Sequence, residues 1–122
     1  MKNLSILAML VAVLAFSSCK KVESNPYQGT YSGTFAGDDT GIWSGTVNES
    51  GNMDGTGISS TVPGIPFELK GQVDNNGHFT ANLNIPLLGA IAFDGQITNG
   101  QVTGTWVNVS SQIQGTFEGA KD

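Results

Sequence analysis

From residue 27 onward the chain alternates large apolar side chains with small polar ones at period two. One unit recurs: a large apolar residue, a spacer, a glycine, a spacer and a second large apolar residue. It occurs as Tyr31-x-Gly33-x-Phe35, Trp43-x-Gly45-x-Val47, Leu69-x-Gly71-x-Val73, Phe93-x-Gly95-x-Ile97, Val102-x-Gly104-x-Trp106 and Ile113-x-Gly115-x-Phe117. Phe79-x-Ala81-x-Leu83 is the same unit with alanine at its centre. Successive side chains of a strand point to opposite faces, so each unit lies on one face and Thr, Ser, Gln and Asn take the other. Recurrent glycine and β-branched residues weigh against helix. Clusters of Asn and Gly at 48–52, 74–77 and 99–100 supply the positive-φ residues of hairpin turns. The pattern therefore predicts strands near 27–36, 41–48, 52–60, 65–73, 77–85, 89–97, 101–109 and 112–119.

Eight short antiparallel strands with tight connections fit a single all-β domain, an eight-stranded up-and-down β-barrel. A β-sandwich is the alternative arrangement. Closure removes the exposed strand edges that invite aggregation. Glycine weakens a strand, so its place on the apolar face needs a reason. An eight-stranded barrel is just wide enough for side chains to fill it, and small residues let the rings of Tyr31, Trp43, Phe93 and Trp106 lie across the lumen. A packed core is expected, with room for a small pocket at one end.

The two ends of such a barrel differ. Connections two, four and six are the polar tight turns. Connections one, three, five and seven lie at the opposite end, and two of them, 61–66 and 85–90, are apolar and stiffened by proline. Val62, Ile65, Leu87 and Leu88 are the side chains expected there either to plug the barrel or to contact a partner or ligand.

Charge narrows the partners. The chain carries a formal net charge of −5 with no arginine, which disfavours nucleic acid as a partner. Catalytic and metal-binding sets are sparse. His78 is the only histidine and has no companion near in sequence for general-base or metal chemistry. Asp38 and Asp39 form an acidic pair in a glycine-flanked loop, read as a solvated turn rather than a calcium site. Glu68 and Asp94 fall on outward faces of the fourth and sixth strands, a whole strand apart, which is a poor arrangement for a two-carboxylate glycosidase. No nucleophile elbow or phosphate loop is present. The expectation is a non-enzymatic protein without metal or cofactor.

The N-terminus sets the compartment. Lys2 precedes an apolar stretch, Leu4 to Phe16, that is of signal-peptide length and too short to span a bilayer. It ends in Phe16-Ser17-Ser18-Cys19, and Cys19 is the only cysteine. This arrangement resembles a bacterial lipoprotein signal in the relaxed form of Bacteroidetes-type bacteria, with Phe16 where the pattern usually has Leu, Val or Ile. The resemblance implies a signal peptide over 1–18, removed on export, and a lipidated Cys19 anchored in the outer membrane. A tether over 19–26, a glycine-rich barrel domain over 27–119 and a tail over 120–122 complete the expected organisation. The units Gly29-Thr30-Tyr31, Gly104-Thr105-Trp106 and Gly115-Thr116-Phe117 look like those of avidin- and lipocalin-type barrels, and the whole is similar to small glycine-rich β lipoproteins of Bacteroidetes. Those likenesses imply a fold and no activity.

With eight strands, the chain enters and leaves at the tight-turn end, so the apolar loops are expected to face away from the membrane. The leading functional expectation is a membrane-anchored binding or scaffolding module that contacts an envelope protein, a glycan or a small apolar ligand through those loops. A calycin-type small-molecule carrier, which needs an open lumen, and an inhibitor of an extracellular enzyme are the alternatives. A transmembrane barrel would need an apolar outer band.

Overall fold

Eight strands close on themselves in chain order. The structure, a computed structural model, describes residues 24–85 and 89–122. The strands are β1 (Gly29–Gly37), β2 (Gly41–Val47), β3 (Asn52–Ser59), β4 (Phe67–Val73), β5 (His78–Ile85), β6 (Gly89–Thr98), β7 (Gln101–Asn108) and β8 (Ile113–Lys121). Each pairs antiparallel with its sequence neighbour, and β8 pairs with β1 to form a closed barrel. β8 continues through Ala120 and Lys121, so these residues belong to the barrel wall and not to a tail. Closure leaves no sheet edge, and this removes the sandwich alternative.

The register sets the width. The paired positions run from Gly29 through Val47, Met53, Gly71, Ala81, Phe93, Trp106 and Gly115, and return to β1 at Gly37, eight residues beyond the start. Eight strands with a stagger of eight residues is the closure of the α/β barrel, whose strands tilt by roughly 36° and whose lumen is filled by side chains.

The filling here is aromatic. Tyr31, Phe35, Trp43, Phe67, Phe79, Phe93, Trp106 and Phe117 are all buried, with Val47, Met53, Leu69, Val73, Ile97 and Val102 among them. Phe117 is the hub, meeting Trp43, Phe79 and Phe93 edge to face at centroid distances of 5.2–6.3 Å. Such contacts add about 0.5–1.5 kcal/mol each beyond the burial of the rings. The void left among Trp43, Phe67, Leu69, Phe79, Phe93 and Phe117 is only about 10 Å³.

The inward glycines explain how so many rings fit. Gly95 and Gly104 face each other on β6 and β7, and a Cβ on either would lie 2.7 Å from the Phe117 ring. Gly119 stands in the same relation to Trp43, and Gly57 to Phe67. Each ring takes the volume that a neighbouring strand has left empty.

The outer face is largely polar, with Ile42 on β2 and Val107 on β7 as its large exposed apolar side chains. Thr30, Ser32, Thr34, Ser44, Thr56, Lys70, Asp94, Thr105 and Glu118 are all exposed. A lipid-facing barrel has the reverse pattern, an apolar band facing outward.

Candidate functional site

The two ends of the barrel are built by different chemistry. At the turn end, Asn48 and Asp74 start matched hairpin turns. The Asn48 carboxamide oxygen accepts the N–H groups of Ser50 (2.9 Å) and Asn52 (3.0 Å). One Asp74 carboxylate oxygen accepts those of Asn76 (2.8 Å) and His78 (3.0 Å). Gly51 and Gly77 follow at φ of 87° and 85°, closing the three-residue loop in a left-handed bulge. The Asn99-Gly100 turn has positive φ at both residues, as a type I′ hairpin requires. The N–H groups of His78 and Asn76, in that order, hold the Asp74 carboxyl below its ordinary range.

Neighbouring hairpins are stitched together. The carbonyls of Gly51, Gly77 and Gly100 accept the N–H groups of Val73, Ile97 and Lys121 at 2.7–2.8 Å. Asn25 is also built into this end, although the sequence places it in a tether. It is buried, its N–H donates to Glu49 O (2.8 Å) and its side-chain amide donates to Val73 O (2.8 Å). Its own side-chain oxygen accepts the Tyr27 N–H. Tyr27 packs against the core, and Tyr31 Oη donates to its carbonyl at 2.9 Å. Burial, and then the neighbouring Tyr27, raise the Tyr31 pKa above the ordinary tyrosine value.

At the opposite, loop end, two aspartates fasten the β1–β2 connection to its neighbours. Asp39 accepts hydrogen bonds from Ser59 Oγ (2.6 Å), Thr61 Oγ1 (2.9 Å) and Ser60 Oγ (3.4 Å). Asp38 accepts the Gln114 N–H (2.9 Å) and returns its own N–H to the Gln114 carbonyl (3.0 Å). The pair read from sequence as a solvated turn is therefore a structural clasp between β1–β2, β3 and β8. Asn108, fully buried, accepts the N–H groups of Ser110 and Ser111 and organises the β7–β8 loop. Buried Ser59 and Asn108 thus close this end with polar groups that are hydrogen-bonded, as burial requires.

The exposed apolar side chains collect at the same end. Ile65 is 47% exposed, Ile42 56%, Val107 38% and Val109 69%, and these are the large exposed hydrophobic residues among the described residues. Ile65 and Val109 stand in loops, Ile42 is the second residue of β2, and Val107 is one before the end of β7. Val62 is half-buried in the turn in which the Ile65 N–H donates to the Val62 carbonyl (3.3 Å). Cys19, Leu87 and Leu88 lie outside the described residues. Ile42, Val107 and Val109 were not singled out by the sequence reading. The signal for the first two was a β-branched apolar residue on the otherwise polar outward face.

The remaining candidates lie elsewhere. His78 Nε2 sits 3.0 Å from Asp94 Oδ1, an exposed cross-strand pair on the outer wall. Among the described residues no group of three or more His, Cys, Asp or Glu is placed to hold a metal ion. Asp94 is level with Thr80 and, beyond it, Gln72, whereas Glu68 is four residues further along β4. The two carboxylates are therefore offset along the wall as well as separated by a strand. No protein-family model matches this chain, and no curated protein matches it in sequence.

Proposed function

We propose that this chain is an envelope lipoprotein, anchored through a lipidated Cys19, whose barrel is a non-enzymatic binding or scaffolding module. Contact with a partner runs through the loop end, over 61–66 and 85–90, joined by Ile42, Val107 and Val109. The observation that carries the reading is the placement of Ile42, Ile65, Val107 and Val109 at one end of an otherwise polar exterior. Apolar side chains gathered at one place on a surface are the usual mark of an interaction site. The clasp at Asp39 and the loop organised by Asn108 hold part of that end in place, so little ordering cost attends binding.

A carrier for a small molecule is less well supported. Ligand pockets typically enclose ~300–1,000 Å³, against the void of about 10 Å³ among the core rings. That void is at the lower limit for a single water.

Two sets of variants test the proposal. Cys19→Ser should move the protein from the membrane fraction to the soluble fraction; unchanged membrane association would count against the anchor. Ile65→Lys and Val109→Lys should leave stability within about 0.5 kcal/mol of the parent, because both positions are exposed. They should also abolish cross-links formed in intact cells by photoreactive residues placed beside them. Unfolding on either substitution would instead identify these side chains as a plug.

A further inference from the structure

Both Asn-Gly steps of this chain, Asn76-Gly77 and Asn99-Gly100, lie in hairpin turns, and the fold holds them differently. An asparagine followed by glycine is chemically labile because no side chain shields the glycine nitrogen from the neighbouring carboxamide. At Asn76-Gly77 every backbone polar group is engaged. The Asn76 N–H donates to Asp74 Oδ1 (2.8 Å) and its carbonyl accepts from Gln96 Nε2 (2.7 Å). The Gly77 N–H donates to the Asp74 carbonyl (3.1 Å), and the Gly77 carbonyl accepts the Ile97 N–H (2.8 Å). Gly77 is buried, and a Cβ there would lie 2.5 Å from Ile97 O and 2.8 Å from the Tyr27 ring. At Asn99-Gly100 the Gly100 carbonyl is held by the Lys121 N–H at 2.7 Å. Neither the Asn99 carboxamide nor the Gly100 N–H has a hydrogen-bond partner among the described residues. Asn99 is exposed, and a Cβ on Gly100 would meet only Lys121 Cβ, at 3.7 Å.

We propose that Asn99 is a site of spontaneous covalent modification, converting through a succinimide to aspartate and isoaspartate, while Asn76 is protected. The Gly100 nitrogen attacks Asn99 Cγ, the Cγ–Nδ2 bond breaks, and the Gly100 proton leaves with the amide nitrogen as ammonia. Water then opens the ring. Breaking the bond from Cγ to the Gly100 nitrogen leaves aspartate. Breaking the bond from the main-chain carbonyl carbon to that nitrogen leaves isoaspartate, with the chain running through the side chain. The attack needs the glycine nitrogen free and the two atoms able to approach. A nitrogen that is already donating must first be released by local opening. That is the position of Gly77 and not of Gly100. The two products differ in consequence. Asp-Gly suits a type I′ turn as Asn-Gly does, so aspartate keeps the hairpin. Isoaspartate adds a methylene to the main chain inside the tight loop between β6 and β7, whose register the turn geometry fixes. It therefore draws Gly100 O away from Lys121 N and loosens the stitch between this hairpin and β8.

The test ages the purified full-length protein at mildly alkaline pH, below its melting temperature. Chymotrypsin then cuts at Phe79 and Phe93 and so separates the two sites. Mass spectrometry should find the amide-to-acid change accumulating about tenfold faster at Asn99 than at Asn76. In denaturant, where only the shared Asn-Gly sequence acts, the two rates should converge. Asn99→Gly, which also suits a type I′ turn, should melt like the parent and lose the fast product. Hydrogen exchange at the Lys121 amide should quicken in the isoaspartate fraction. Equal rates at the two sites in the folded protein, or a faster rate at Asn76, would overturn the inference. So would an Asn99 that stays intact while the unfolded chain converts, or a contrast between the sites that persists in denaturant. Unchanged exchange at Lys121 would overturn the loosened stitch.

Discussion

At the scale of single residues, the two tryptophans make a natural experiment. Both are buried, but Trp106 Nε1 donates to Ala36 O at 3.1 Å, whereas Trp43 Nε1 is buried with no hydrogen-bond partner among the described residues. Replacing either by Phe removes similar volume, so the difference isolates the polar term. Trp106→Phe should cost about 1 kcal/mol more than Trp43→Phe, because only the first gives up a made hydrogen bond. Chemical denaturation of the two variants measures this directly.

Tyr31 gives a residue-scale expectation in pH. Its pKa is raised in the fold, so between the unfolded and folded values the unfolded chain binds fewer protons. The stability Tyr31 contributes is complete below about pH 10, the ordinary tyrosine value, and is lost as pH rises through the folded value. Tyr31→Phe should flatten that alkaline limb of the stability curve. An equally steep limb in the variant would assign the loss to another group.

The hydrophobic beat made most of these core residues legible in the sequence. Asn25, Ser59 and Asn108 were not legible. Each is a small polar residue of a type that normally faces water, and burial became tolerable only once particular turn backbones were brought within hydrogen-bonding reach.

At the scale of elements, glycine spacing decides where rings can lie. Gly57 sits beneath the Phe67 ring, while nothing lies within 4 Å of a Cβ on Gly64 in the β3–β4 loop. Gly57→Ala should destabilise by about 1–3 kcal/mol through overpacking. Gly64→Ala should shift stability by no more than about 0.5 kcal/mol. Equal effects in denaturant melts would mean that strand coiling, not ring packing, is the use of these glycines.

The matched turns supply a second test. Asp74 is ionised where Asn48 is neutral, yet both make the same pair of backbone contacts. The folded pKa of Asp74 lies below its unfolded value, so its contribution is present above about pH 4 and lost as pH falls through the folded value. Asp74→Asn should keep the turn and make the acid limb of the stability curve shallower. A collapse of the hairpin on this substitution would show that the turn needs the charge.

For the molecule as a whole, Asn25 changes how the barrel is presented. Its bonds to Glu49 and Val73 fasten the entering chain to the turn end. Between Cys19 and this clasp lie only Lys20 to Ser24. A chain of that length spans at most about 20 Å. With Cys19 lipidated, the turn end is therefore held near the bilayer and the loop end points away. Fluorophores placed at Asn76 and Pro63 of the lipidated protein in vesicles should differ in quenching by headgroup-labelled lipid, the first strongly and the second weakly. Asn25→Ala should reduce that contrast by freeing the strut. Equal quenching of both sites in the parent would discard the orientation.

The sequence by itself determined the class of the fold, the number of strands, their boundaries to within two residues and the face each side chain takes. All of these follow from period-two alternation and from turn residues whose backbone preferences are local. Tertiary structure alone decided the closure, since strand order does not distinguish a barrel from a sandwich. It decided the stagger of eight residues that fills the lumen, because register depends on how every ring packs against its neighbours. It also turned Asp38, Asp39 and Asn25 from solvated or tethering residues into clasps. Their partners, Gln114, Ser59 and Val73, are 20 to 76 residues away in sequence, and only the folded chain brings such groups together.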